Sequence, residues 1–136
     1  MTLDQIEPIY VVDTHALIWF LKGDVRLSQT GQAIFQAAQR YETLLLISAI
    51  SIAEMFYAHH KHRLFSDFKL VYTALRSEPY IDLIPFTADD VLDFEADTAV
   101  PEMHDRIITG LAKRVNAPLL TLDPLITAAG LVKVVW

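Results

Sequence analysis

Four carboxylates stand at places in this sequence where acidic groups do chemistry. Asp13 directly follows the apolar run Ile9 to Val12, and Asp123 directly follows Leu119 to Leu122. Glu54 lies in the first turn of a helix expected after Leu44 to Ile47, and Asp105 opens a helix expected to end at Val115. Each has a plain structural reading. Asp13 could cap a helix starting at Thr14, and Ser51 with Glu54 fits the S-x-x-E capping box. Asp105 in a first helical turn suits the macrodipole. Asp123 before Pro124 is an N-cap with proline at the first helical position. Caps, however, have no need to gather at one edge of a sheet. Four carboxylates gathered there would raise one another's pKa values unless a cation sat among them. Oxygen-only ligands favour Mg²⁺ or Mn²⁺ over Zn²⁺. Such an ion keeps several waters, one of which can attack a phosphorus in line, with a second ion about 4 Å away stabilising the leaving oxygen.

The elements that must position these groups alternate. Strands are expected at Ile9 to Val12, Leu44 to Ile47, Ile81 to Pro85, Leu119 to Leu122 and Val132 to Trp136. Helices are expected at Thr14 to Leu21, from Ser28 as N-cap to about Gln39, from Ala49 to about Lys61, from Ser66 as cap to Ser77, over Thr87 to Thr98, over Asp105 to Val115 with Asn116 as C-cap, and briefly at Pro124. Strands alternating with helices imply βαβ units, a mostly parallel sheet and right-handed crossovers that cover both faces. In such α/β sheets ligands bind at the carboxyl ends of the strands. Three of the four acids are tied to such ends, and all four lie near helix N-termini.

Composition narrows the classes. The 136 residues make one domain, 1–136, able to bury a core. A hydrophobic fraction of 53% fits a sheet buried on both faces or a surface covered in an oligomer. The apolar runs are too short to span a bilayer. The N-terminus MTLDQIEPIY has no basic stretch or long apolar run and is not expected to be a secretory signal. The chain has no cysteine, which removes disulfide scaffolds and thiolate metal sites and makes a cytoplasmic location the simplest expectation. The net charge of −6 argues against wide, metal-free gripping of nucleic acid, but not against a nuclease whose divalent ions meet the phosphate.

Four segments carry a family resemblance. VVDTHALIWFL from Val11, SAISIAEM from Ser48, MHDRIITGLAKR from Met103 and PLLTLDPLI from Pro118 resemble, in order, the signature blocks of PIN-domain ribonucleases. They look most like the VapC-type toxins of prokaryotic toxin–antitoxin pairs, and the likeness runs from about Ile9 to Trp136. The resemblance implies a PIN-like three-layer α/β/α sandwich with a short, mainly parallel sheet. It implies a Mg²⁺- or Mn²⁺-dependent endoribonuclease with metal on Asp13, Glu54, Asp105 and Asp123, and Thr14 and Thr121 bonded to the acids from behind. It also implies an RNA substrate, a homodimer, and an antitoxin that inserts a segment in or near the acidic groove. His15, Ser51 and Arg106 are further candidates for support or substrate contact. One departure stands out: many relatives carry a short D-P-F-like insertion before the third acid, and here His104-Asp105-Arg106 follows Glu102-Met103 without it. The shorter loop could move Asp105 slightly, and Glu102 or Asp97 could share its role.

Other features have ordinary readings. His59-His60-Lys61-His62-Arg63 is expected to be a solvated helix end where cations suit the dipole, with an RNA-backbone or partner contact as the alternative. His15 could shuttle a proton or bond the backbone, and Arg106 could hold phosphate or brace a carboxylate. Trp19, Phe20, Phe35, Phe56, Tyr57 and Phe65 are expected mostly in the core, with some at a dimer contact. Asp89, Asp90, Asp93, Glu95 and Asp97 are expected on the solvated face of one helix. Three rivals remain: a receiver-type signalling domain, which needs an Asp after its third strand and a Lys after its fifth; a PIN-like module that only binds RNA or protein; and a DNA-directed nuclease.

Overall fold

The computed structural model describes residues 8–136, so the reading of the N-terminal segment falls mostly outside the described residues. Five strands form one sheet: β1 (Ile9–Val12), β2 (Leu44–Ser48), β3 (Ile81–Ile84), β4 (Leu119–Leu120) and β5 (Val134–Val135). Six helices surround it: α1 (Thr14–Lys22), α2 (Gln29–Gln39), α3 (Ala49–His62), α4 (Phe68–Ser77), α5 (Met103–Val115) and α6 (Pro124–Ala129). The strand order is β3-β2-β1-β4-β5, and every pairing is parallel.

The two-residue period of the strands sorts their side chains into two cores. Val12, Leu45, Ile47 and Leu120 face α1 to α4, whereas Val11, Leu44, Leu46 and Leu119 face α5 and α6. The result is a three-layer α/β/α sandwich, and both faces of its central strands are dry. Phe20 of α1 stacks on Phe35 of α2 with centroids 4.0 Å apart, locking these two helices together. Helix ends follow the sequence closely. Ser28 caps α2 through its side chain, and Gly23 and Asn116 end α1 and α5 in left-handed conformations.

Four expectations need correction. The acidic helix over 87–98 is a 3₁₀ segment, Ala88–Asp93, followed by turns. No residue of that segment is buried, so it has no apolar face to stabilise a short α-helix. Asp97 is not on a solvated face: it is fully buried and ion-paired with Lys113. Asp67, not Ser66, caps α4, accepting from the N–H groups of Lys69 and Leu70. Finally, β4 stops at Leu120, and just beyond it the Thr121 hydroxyl donates to Asp13 while also accepting the Asp123 N–H.

The chain builds β1, β2 and β3 outward on one side, then crosses back to lay β4 and β5 on the other. The direction reverses between β1 and β4, and a crevice opens there at the carboxyl ends of the strands. A receiver-type domain has the order 2-1-3-4-5. The observed order differs, which removes that rival.

Candidate active site

Asp13 sits at the reversal point. Its N–H donates to Leu120 O at 3.0 Å, continuing the β1–β4 pairing one residue past the strand. Its Oδ1 accepts the Thr14 N–H at 2.7 Å, and its Oδ2 accepts the Thr121 hydroxyl at 2.6 Å. Asp13 is therefore a helix cap, as one reading of the sequence held, and also a carboxylate fixed at the crevice. Burial pushes its pKa up against the opposing effect of those two hydrogen bonds.

Glu54 enters from α3. The N-cap of that helix is Ser48, which accepts from the Ile50 N–H, so the Ser51–Glu54 capping box does not form. Ser51 and Glu54 instead face α1. The Thr14 hydroxyl lies 2.7 Å from Glu54 Oε1 and 2.9 Å from the Ser51 hydroxyl. Having one proton, it donates to the carboxylate and accepts from Ser51. Thus Thr14 holds one acid with its backbone N–H and another with its side chain.

Asp123 caps α6 with Oδ1, which takes the N–H groups of Leu125 and Ile126 and leaves Oδ2 for a ligand. Asp105 lies in the first turn of α5, whose N-cap is Glu102, and its own N–H donates to Glu102 Oε2 at 3.0 Å. Its pKa is pushed up to about 7, first by burial and then by the charges of Asp123, Asp13, Glu102 and Glu54. The shorter loop thus leaves Asp105 within electrostatic reach of the other three acids.

The four acids lie within electrostatic reach of one another and offer oxygen donors only, a set that fits a hard divalent cation in kind. Among the described residues no three of these groups yet close on one point.

His104 is the residue that sequence reasoning missed. Its Nδ1 lies 3.4 Å from Glu54 Oε2 and 3.5 Å from Glu102 Oε1, at the rim of the crevice. Its position beside Asp105 was the available signal. Other candidates lie elsewhere. Arg106 turns away, its Nε donating to Val100 O. Asp97 is committed to Lys113. His15 is exposed, near enough to Asp13 to affect its charge, with its ring 5.8 Å from that of Trp19.

The sequence profile of the PIN domain matches residues 10–130, and the chain belongs to that family. No curated protein matches the sequence significantly. Among solved structures, the chain is similar to VapBC2 from Rickettsia felis bound to a promoter DNA fragment, with 17% identity, a TM-score of 0.68, and coverage of 95% of this chain and 99% of that one. It is also similar to FitAcB from Neisseria gonorrhoeae, with 17% identity, a TM-score of 0.64, and coverage of 92% and 95%. A third similarity is to FitAB bound to an IR36 DNA fragment, with 19% identity, a TM-score of 0.60, and coverage of 93% of each chain. At these identities the likeness concerns the fold. PIN-domain proteins are nucleases that generally use divalent metals.

Proposed function

We propose that the chain is a Mg²⁺- or Mn²⁺-dependent endoribonuclease, the toxin of a VapBC-type toxin–antitoxin pair, acting in the cytoplasm as a homodimer. The observation that supports this reading is the hydrogen-bonded run Thr121–Asp13–Thr14–Glu54 at the β1–β4 reversal, beside which Asp105 is pushed up to about 7 by burial and by the charges of Asp123, Asp13, Glu102 and Glu54. The solved neighbours include VapBC2 and FitAB, each bound to DNA, which supports an antitoxin partner. Among the described residues no helix is long and apolar enough to cross a membrane.

The four carboxylates are the proposed metal ligands. A divalent ion bound there supplies positive charge at the scissile phosphate and lowers the pKa of an attacking water. The chain's own part is to hold the acids. Thr121 and the Thr14 N–H fix both oxygens of Asp13, and the Thr14 hydroxyl, braced by Ser51, fixes Glu54. The two N–H groups of α6 hold Asp123 Oδ1 in place. Burial and the neighbouring acids push the Asp105 carboxyl up, an effect that a bound cation would oppose.

The test is cleavage of a mixed RNA pool by the purified protein in EDTA, Mg²⁺ or Mn²⁺, beside Asp13→Asn. Metal-dependent cleavage that is lost in the variant, with 5′-phosphate ends, supports the reading. Cleavage that persists in EDTA, or in Asp13→Asn, refutes it.

A further inference from the structure

Exposed side chains on α3 form a stripe that starts beside the acidic crevice. Ala53, Phe56, Tyr57, His60 and Lys61 all face solvent. Their spacing of three and four residues puts them along one side of the helix. Glu54 stands at the edge of the same side, and Lys61 follows seven residues later, about 10 Å along the axis. Phe56 and Tyr57 are 42% and 69% exposed, contrary to the expectation that they are mostly core. Their rings nonetheless pack against neighbouring rings. Phe56 meets Phe68 edge-on at 5.3 Å and Tyr57 edge-on at 5.4 Å, and it lies within 14° of parallel to His60.

The basic run at the end of this helix is not uniformly a solvated end. His59 is turned inward: its Nδ1 accepts the Phe65 N–H at 3.1 Å, and its ring packs against Phe65 and Phe68. An accepting ring nitrogen carries no proton, so His59 braces the turn between α3 and α4. Lys61, His62 and Arg63 are exposed. Arg63 ends the helix at φ 50°, a left-handed conformation that glycine usually fills. A long cation is therefore held where the backbone favours no side chain.

Charge points the same way. The chain carries −6 overall, yet Phe56 to Lys69 holds Lys61, Arg63 and Lys69 against a single acid, Asp67. Asp67 is occupied with N–H groups of α4. Among the described residues neither Lys61 nor Arg63 pairs with a carboxylate.

Exposed rings beside unpaired cations suit single-stranded nucleic acid, because rings stack on bases and cations follow phosphates. We infer that the solvent side of α3, from Tyr57 and Phe56 through His60 to Lys61 and Arg63, is the track along which single-stranded RNA extends from the acidic crevice. The inference rests on the nuclease reading above. A second copy of the chain could use the rings, and an acidic peptide the cations. Neither explains why a ring, Tyr57, and a cation, Lys61, stand three and seven residues on from Glu54, on its side of the helix.

The experiment uses the full chain and two single-stranded RNAs sharing one site that the wild type cleaves. One reaches well beyond the scissile phosphate, and the other is too short to reach Lys61. The variants are Lys61→Ala/Arg63→Ala and Tyr57→Ala, with thermal melts to confirm folding. For the long RNA the double variant is expected to raise KM about tenfold at low salt, and the short RNA is affected less than threefold. In an Asp13→Asn background, the slope of log binding constant against log salt falls by about 1.4, that of two lost phosphate contacts. Tyr57→Ala weakens binding at least fivefold without changing that slope. Unchanged KM and binding for the long RNA, while the wild type cleaves it, overturns the track. A change from dimer to monomer in the variants overturns it too, by assigning the stripe to contact between copies. A wild type that cleaves no RNA refutes the nuclease reading itself, and the track falls with it.

Discussion

The Thr121 hydroxyl donates to Asp13 Oδ2 at 2.6 Å, joining the ends of β4 and β1 at the point where the sheet reverses direction. The same oxygen accepts the Asp123 N–H at 3.0 Å, so one threonine positions two of the four acids. Thr121→Val keeps the shape and removes both bonds. It is expected to cost about 1.5–3 kcal/mol of folding stability, the range for a hydrogen bond to a charged group, read by denaturant unfolding. Cleavage is expected to fall at least tenfold. Unchanged stability and rate would show that the bond is incidental.

Thr14 makes a second such test. Its hydroxyl donates to Glu54 and accepts from Ser51, so Thr14→Val frees Glu54 while Thr14→Ser keeps the donor. The valine variant is expected to lower kcat by roughly tenfold, the serine variant by less than threefold. Equal loss in both would assign Thr14 to packing rather than to holding the carboxylate.

Asp105 contributes a pH dependence of its own to the metal-free protein. Its carboxyl is pushed up from 3.8 to about 7 on folding, so the folded state binds the proton more tightly than the unfolded state. Stability from this group is therefore highest at low pH, falls as pH rises from about 4 to about 7, and stays flat above. Asp105→Asn removes the effect. In EDTA the variant is expected to melt above the wild type at pH 8, with the gap closing toward pH 4. A gap that widens toward acid would contradict the raised pKa.

Asp97 and Lys113 predict the opposite pattern. Their buried pair ties the turns after the 3₁₀ segment to α5, away from the crevice. Lys113→Met strands the Asp97 charge and is expected to lower stability by about 1–3 kcal/mol. Cleavage per folded molecule stays as in the wild type, read as rate against the folded fraction.

The sequence made most of this site visible because its acids sit next to readable boundaries. Asp13 and Asp123 each join an apolar run to a helix start, and α/β alternation places such junctions at one edge of the sheet. The reversal between β1 and β4 was not legible, since strand order depends on long-range pairing that no local pattern encodes. Ser51 looked like half of a capping box, because the rule for caps is local whereas its hydroxyl is claimed by Thr14 from another helix. Asp97 looked solvated among its acidic neighbours, because its partner lies sixteen residues away on α5. His104 was passed over for a similar reason: Glu54, on α3, is what gives it a place at the rim.

If Asp13, Glu54, Asp105 and Asp123 together hold metal for RNA cleavage, Asp105 is indispensable to the reaction. The most direct measurement is the single-turnover cleavage rate of Asp105→Asn in Mn²⁺ beside the wild type, on one RNA the wild type cuts. A loss of at least a hundredfold is expected in a variant that is folded and, without metal at pH 8, more stable than the wild type. Cleavage at the wild-type rate would contradict it and remove Asp105 from the site.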